Sequence, residues 1–236
     1  CNKLIELRCE DNKLTSLNVS GCTALETLMC DSNELTSLDV STCASLQDLT
    51  CSNNKITSLN ISSCKKLSQL SCAANKLTAL DLSKCPDLAW VDCQDNQLAS
   101  LDIRNCTELE SLYCTTNNLA ALDVSQNKNL IELFCGNNKL TTLDISKNSA
   151  LQTLYCPNNS ITNTSALEAW LSKDGHEGKV LPQNGKGQWK KGSKGWWYSY
   201  GNGSYAKDCW MRLGDAIYRF DADGWMATGW QKIEDQ

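Results

Sequence analysis

The sequence predicts a mainly β solenoid of eight 21-residue repeats, closed by a short helix and followed by β-hairpin repeats. Three observations predict it. Cys9, Cys30, Cys51, Cys72, Cys93, Cys114, Cys135 and Cys156 recur at a spacing of 21 residues. Three residues after each stands an asparagine, from Asn12 to Asn159, with no insertion in between. Apolar residues fall at the same places in every period, as in Leu46, Leu49, Cys51, Ile56, Leu59 and Ile61. A strict period of this length means stacked copies of one supersecondary unit, none of which buries its apolar face alone.

One period shows the expected course of the chain. Leu7 and Cys9 alternate with Glu6, Arg8 and Glu10, the period of two that marks a half-buried strand. Asn12 turns the chain, and its amide can pair backbone groups that the turn leaves free, coil after coil. Leu14 points inward. Leu17 and Val19 alternate with Asn18 and Ser20, which predicts a second short strand on the opposite wall. Cys22 turns the chain back, and Leu25 opens the next coil. This second cysteine column runs from Cys1 through Cys22, Cys43, Cys64, Cys85 and Cys106, then becomes Asn127 and Asn148. The replacement argues for a compact residue at a turn and against a reactive thiol.

Cysteine usage admits a disulfide scaffold or a metal site. No C-x-x-C occurs, and stacked same-face residues sit about 4.8 Å apart in the backbone with parallel side chains, a poor geometry for disulfides. Free, buried, inert thiols are expected; a stacked-thiolate column for a soft metal is the alternative.

Composition divides the chain near residue 163. Residues 1–163 hold 12 Lys and Arg against 18 Asp and Glu, a net −6; residues 164–236 hold 10 against 9, a net +1, and the two give the overall −5. One of 8 tryptophans lies before residue 164. The expected domains are a solenoid over 1–163, a capping helix and linker over 164–186, and hairpin repeats over 187–236. Cys1 falls in register with Cys22 and no polar cap precedes it, so a fragment of a longer protein is expected. No apolar run reaches the ~18 residues of a membrane span.

After Ile161 the period stops. Ser165-Ala-Leu-Glu168 reads as a capping box, Leu167, Trp170 and Leu171 follow at helical spacing, and Gly175 can end the helix. A helix over 164–174 would close the open end of the stack, with Trp170 in its core.

Every aromatic of the repeats, namely Trp90, Tyr113, Phe134 and Tyr155, falls on an outward strand position in consecutive coils. A contiguous exposed aromatic stripe there is the candidate site for a protein or glycan partner; packing against the following domain or cross-strand stabilisation is the structural alternative. A second column, Asn18, Asp39, Asn60, Asp81, Asp102, Asp123 and Asp144, reads either as local turn acceptors or as a calcium-binding row.

The pattern L-x-x-L-x-C-x-x-N-x-L-x-x-L-D-V-S over residues 1 to about 163 resembles the bacterial 21-residue leucine-rich repeats that carry a cysteine in place of a strand leucine, as in the internalin J group. The resemblance implies a right-handed curved coil with a concave parallel sheet, in a surface protein that binds other molecules.

From Gly185 the sequence turns to Gly, Trp, Tyr and Lys, and short aromatic strands broken by Asn-Gly and Asp-Gly predict hairpins. Trp197-Tyr198-Ser199-Tyr200 and Asp221-Ala-Asp-Gly-Trp-Met-Ala-Thr-Gly-Trp230 resemble the choline- and glucan-binding cell-wall repeats of Gram-positive surface proteins over about 187–232. Ile217, Arg219 and the pair Cys209-Trp210 depart from that pattern. The resemblance implies attachment to a cell-wall polymer, choline or glucan, through a cage drawn from Trp189, Trp197, Trp210, Tyr218 and Trp230.

Catalysis is not expected. The sole histidine, His176, lies in a Gly- and Lys-rich stretch, which argues against triad chemistry, and no phosphate loop, cofactor motif or metal motif appears. Nothing indicates nucleic acid. These readings converge on a non-enzymatic, adhesin-like protein of the bacterial surface; a glycan-binding accessory region of a larger extracellular enzyme and a structural spacer are the alternatives.

Overall fold

The computed structural model describes residues 1–181, 183, 188–199, 205–207, 209–213 and 216–227, with 209–213, 216 and 217 described for their backbone only. Nine three-residue strands form one parallel sheet, β1 (Glu6–Arg8), β2 (Thr27–Met29), β4 (Asp48–Thr50), β6 (Gln69–Ser71), β7 (Trp90–Asp92), β8 (Ser111–Tyr113), β9 (Glu132–Phe134), β10 (Thr153–Tyr155) and β11 (Glu177–Lys179), in that order. The first eight are the eight predicted repeats. Their register is one residue per residue, so Leu7, Leu28, Leu49, Leu70, Val91, Leu112, Leu133 and Leu154 stack as one inward row. That row from Leu28 onward is fully buried, together with the coil-opening leucines from Leu25 to Leu151 and the strand cysteines from Cys30 to Cys156.

The opposite wall is less regular than expected. Only β3 (Ser37–Asp39) and β5 (Ser58–Asn60) pair there, in parallel. In the other coils the equivalent apolar residues still point inward, as Leu80, Leu82, Leu101 and Ile103 do, but the backbone forms no strand. Burial requires the alternation; it does not require the ladder.

The turn after each strand cysteine carries the most repetitive polar structure in the molecule. The residue before each asparagine has a left-handed backbone, with φ between 50° and 56° from Asp11 to Asn158, and none of these residues is glycine. Such a conformation is costly for an L-residue, and most of all for the β-branched Thr116. The asparagine that follows holds it. Asn54 Nδ2 donates to the carbonyls of Cys51 at 3.1 Å and Ser52 at 3.2 Å in its own coil, and of Cys30 at 3.0 Å in the coil before. Its Oδ1 accepts the backbone N–H of Leu35 at 3.0 Å. Asn75, Asn96, Asn117 and Asn138 repeat this set.

The second cysteine column explains its own substitution. The Cys64 thiol lies 3.5 Å from the Val40 carbonyl and 3.7 Å from that of Cys43. Asn127 donates to the two equivalent carbonyls, of Ile103 at 3.0 Å and Cys106 at 2.7 Å, and Asn148 to those of Val124 and Asn127, both at 2.8 Å. The site selects a small donor, which both residues supply. The cysteines of the repeats are free thiols. Burial is the first cause that raises Cys30, Cys93 and Cys156 to about 12 and Cys85 to about 11.

The aspartate column is a set of turn acceptors. Asp39, Asp81, Asp102, Asp123 and Asp144 each accept the backbone N–H two residues on. Those local hydrogen bonds hold the exposed Asp81 and Asp144 carboxyls below their ordinary value, and the Arg104 side chain brings Asp102 to about 2.

Helix α1 spans Ser165–Leu171 and buries Leu167 against the last coil. Its N-cap is Thr164, one residue before the serine expected to cap it, and the Thr164 hydroxyl donates to the Glu168 carboxylate. Ser165 therefore sits inside the first turn, where it cannot form the expected box with Glu168. Trp170 packs on the core and stacks on His176, with ring centroids 4.1 Å apart.

Residues 177–179, expected within a linker, form β11 and extend the sheet beside β10. The period survives in disguise. Val180 and Gln183 stand 24 residues after Cys156 and Asn159. Val180 is buried in the cysteine's place. Gln183 Nε2 donates to the carbonyls of Cys156, at 2.9 Å, and Val180, while its Oε1 accepts Ile161 N–H at 3.3 Å. Gly178 occupies the inward position with φ 141°, where a Cβ would lie 1.8 Å from the Leu154 carbonyl oxygen.

In the tail, β12 (Gln188–Gly192) pairs with β13 (Gly195–Ser199) and β14 (Cys209–Leu213) with β15 (Ala216–Phe220), each as an antiparallel hairpin. The Met226 N–H donates to the Trp196 carbonyl at 2.7 Å. Tyr198, Ala206 and Phe220 form a small core of their own.

Two outcomes follow from this packing. Asn117→Ala leaves the Leu98 N–H and the Cys93 and Cys114 carbonyls short of partners; at about 1–3 kcal/mol per stranded group, urea denaturation should show a loss of roughly 3 kcal/mol or more, and a loss below about 1 kcal/mol would contradict the bridging role. Alkaline pH should unfold the stack. The thiols are neutral when protonated, so a raised folded pKa gives stability that is complete below their unfolded value and lost as pH rises towards 11–12. Each thiol that titrates only on unfolding removes about 1.4 kcal/mol per pH unit above ~8.5, so circular dichroism should show cooperative unfolding between about pH 9.5 and 11. Equal urea midpoints at pH 8 and 10.5 would contradict it.

Candidate binding site on the concave sheet

Because side chains alternate across a strand, the first and third residues of each β1–β11 strand face outward, while the middle residue enters the core. The register places Asp92, Tyr113, Phe134, Tyr155 and Lys179 side by side in one outward row. Trp90 stands two residues before Asp92, in the neighbouring row and diagonal to Tyr113. The four predicted aromatics are therefore contiguous.

Their geometry is a stack. Ring centroids are 4.9 Å apart for Tyr113 and Phe134, at 17° between planes, and 4.9 Å for Phe134 and Tyr155, at 6°. Trp90 is tilted 50° to Tyr113 at 5.8 Å. The spacing is that of the parallel strands, so the backbone pitch sets the ring separation. Tyr155 is the exposed end of the stack, at 39%, and the other three are half-buried.

Stacking decides which part of each ring is free. The faces of Tyr113 and Phe134 are turned to their neighbours, which leaves edges to the solvent. The Tyr113 hydroxyl donates to the Glu132 carboxylate at 2.5 Å, and Ser111 donates to the same oxygen at 3.1 Å. Burial first, and this hydrogen bond second, raise the Tyr113 phenol to about 12. Sequence reasoning missed Glu132, although its column was visible, because nothing in the pattern says which neighbour a tyrosine hydroxyl will find.

The row changes character towards β4. Between the coils of β2 and β7 lies a groove of about 670 Å³, bordered by Trp90 at one end. Its walls are hydroxyl, amide and carboxylate side chains, including Thr50, Ser52, Gln69, Ser71 and Asp92. Asp92 is raised above the ordinary carboxylate value, chiefly by burial.

The hairpin tail holds a separate pocket of about 340 Å³ lined by Trp189, Trp196, Tyr218 and Met226. Trp189 and Tyr218 were among the residues singled out from sequence. Trp189 meets the Tyr218 ring edge-on at 4.8 Å. Trp197 is elsewhere: it is next to Trp196 in β13 and so faces the other way, edge-on to Tyr205 at 5.6 Å and with Lys190 Nζ 5.6 Å from its centroid. Trp196 and Met226 were not anticipated, because only the pairing of β12 with β13 and the Met226 link show which of two adjacent tryptophans faces the cleft. Trp230 lies outside the described residues, and Trp210 is described only as a backbone position in β14. Among the described residues, no cluster of three His, Cys, Asp or Glu is placed to hold a metal ion, and no helix is long and apolar enough to cross a membrane.

Neither a model of a known protein family nor a curated protein matches the sequence. Solved structures do. The functional domain of InlJ from Listeria monocytogenes, which includes a cysteine ladder, is 35% identical over 68% of this chain and 41% of its own, with a TM-score of 0.60. The leucine-rich effector protein YopM from Yersinia pestis is 27% identical over 68% of this chain and 45% of its own, with a TM-score of 0.62. Internalin C2 from Listeria monocytogenes, at 17% identity, shares the fold, with 78% of this chain and 82% of its own covered and a TM-score of 0.64. The chain thus spans less than half the length of the InlJ and YopM structures. It has the leucine-rich-repeat solenoid fold, and its structural neighbours are internalin-type leucine-rich-repeat proteins, one of which includes a cysteine ladder.

Proposed function

We propose that this chain is a non-enzymatic, adhesin-like binding protein of the bacterial cell surface, whose concave sheet holds a protein partner on the Trp90–Tyr155 ladder and whose tail attaches to a cell-wall polymer. The stacked ladder carries the reading. Four aromatic rings on consecutive coils, outside the core, form a rigid amphipathic strip that loses little side-chain entropy on contact. A sugar ring needs an aromatic face, and the stack turns the faces of Tyr113 and Phe134 against neighbouring rings. Ring edges and shallow apolar relief suit protein side chains better, so a protein is favoured over a glycan at this strip.

The tail reading rests on the pocket of Trp189, Trp196, Tyr218 and Met226. Three π-systems and a polarisable thioether around a small cavity suit a quaternary ammonium by cation–π attraction. Choline-bearing wall polymer is the ligand this chemistry fits best, with glucan as the alternative. Burial of the solenoid thiols also suits an oxidising exterior, because a thiol held protonated in the core is a poor nucleophile.

Two experiments test the two halves. On an array of extracellular proteins, the chain should keep a partner that Tyr113→Ala with Phe134→Ala weakens at least about tenfold, with Tm lowered by no more than about 4 °C. Equal binding by both forms, or a collapse of Tm, would make the rings structural. Choline chloride titrated against tryptophan fluorescence should saturate, and Trp189→Ala should weaken it by about tenfold or more. Quenching that survives Trp189→Ala and Trp196→Ala would remove the pocket from the attachment role.

A further inference from the structure

We infer that the polar groove at β4–β7 is a second binding site, for a neutral oligosaccharide of hexose or N-acetylhexosamine units. It shares Trp90 with the ladder but differs from it, and from the tail pocket, in chemistry, and it does not rest on what either of those binds.

The first argument is the lining. Trp90 borders the groove, and it is the one aromatic of the sheet that is not stacked face to face, being tilted 50° to Tyr113. A tilted indole at the end of a polar trough offers a flat apolar surface to the C–H face of a sugar ring. The remaining walls carry hydrogen-bonding groups, hydroxyls and amides such as Thr50, Ser52, Gln69 and Ser71, with three carboxylates, Asp31, Asp92 and Asp95. Its aliphatic lining is confined to Ala73 and Ala74, so the anchors that a peptide's side chains need are missing. No lysine, arginine or histidine lines it either, while its carboxylates repel anions. Phosphate, nucleic acid and sialylated or sulfated glycans are excluded on charge.

The second argument is preorganisation. The Asp31 carboxylate accepts the Thr50 hydroxyl and, at 2.7 Å, the Ser52 N–H. Ser52 Oγ lies 2.7 Å from Ser71 Oγ and accepts the Ala73 N–H at 3.0 Å. Asp92 Oδ1 accepts the Gln94 N–H at 3.1 Å. These side chains are set before a ligand arrives, so little rotamer entropy is lost on binding. A carboxylate has about four lone-pair sites, and each of these keeps acceptors for a hydroxyl pair. Binding of a bare cation fits less well: Asp31, Asp92 and Asp95 all line the groove, but among the described residues no three such groups are placed to hold one metal ion.

The third argument is size. The groove crosses from the coil of β2 to that of β7, three strand steps of about 4.8 Å, or roughly 14 Å in all. That length takes about three pyranose rings laid along the solenoid axis, with one on Trp90.

The test uses the whole chain carrying Trp189→Ala and Tyr218→Ala, so that the tail pocket is silent. Maltohexaose and chitohexaose are titrated by calorimetry, with a heparin hexasaccharide and calcium chloride as the anionic and cationic probes. The expected result is saturable binding of at least one neutral hexasaccharide, weakened at least about tenfold by Trp90→Ala and by Asp92→Asn, each with unchanged circular dichroism. Gln69→Ala, at an exposed position that leaves the core intact, should weaken it by about three- to tenfold and guards against a folding artefact. No binding of either neutral hexasaccharide overturns the proposal. So does neutral binding that survives Trp90→Ala and Gln69→Ala, binding of heparin in preference to both, or a calcium isotherm lost in Asp92→Asn without any sugar isotherm. Failure here leaves the protein partner of Tyr113 and Phe134 untouched, because that reading is tested on other residues.

Discussion

The asparagine ladder is the constraint on which the rest of the solenoid depends. A coil of 21 residues must turn sharply after each strand, and the turn strands carbonyls and an N–H inside an apolar stack. One amide per coil satisfies both kinds of group at once, and it does so across two coils. Asn54 holds Cys30 and Leu35 in the preceding coil as well as its own turn. The side chain is therefore a vertical tie as much as a turn former. It also holds the left-handed residue before it, and this explains how a β-branched Thr116 and an Ala74 can both occupy φ near 50°. The end of the stack obeys the same rule with one more methylene, since Gln183 reaches the carbonyl that a ninth asparagine-type contact would require.

The cysteine columns serve the same economy of space. A thiol is small enough for a close coil stack and a weak donor to a carbonyl that would otherwise be left bare. Where Asn127 and Asn148 replace it, the carbonyls gain stronger donors, but each asparagine then buries an Oδ1 without a partner. The exchange is not free, which gives a physical reason for cysteine at most positions of the column. Burial keeps these sulfurs protonated, so abundance of cysteine here means packing and not reactivity.

The fixed pitch of the sheet then dictates what the outer face can recognise. Rings placed at every step stack on one another and hide their faces. Rings placed singly, as Trp90 is towards β4, keep a face free. One sheet thus carries an apolar strip at its C-terminal half and a polar trough at its N-terminal half, divided by a single tryptophan. The hairpin tail places its aromatic side chains differently, with Trp189, Trp196 and Tyr218 lining a small pocket beside Met226.

The sequence by itself determined the repeat, the eight strands, the inward and outward rows, the turn asparagines, the interchange of cysteine with asparagine, and the outward position of the four aromatics. All of these follow from periodicity, because every coil meets the same environment as its neighbours. Tertiary structure decided what periodicity leaves open. The ninth strand at Glu177–Lys179 is hidden from sequence by a shift from 21 to 24 residues and by Val180 and Gln183 standing for cysteine and asparagine. The second strand forms in two coils only, because burial of its leucines is satisfied without a ladder. Thr164 stands at the N-cap of α1 in place of Ser165, whose N–H is taken by the Asn163 side chain. The tilt of Trp90, the choice of Glu132 by Tyr113, and the selection of Trp196 over Trp197 for the tail pocket depend on which groups the fold brings within a few ångströms, and that information belongs to pairs of residues far apart in the chain.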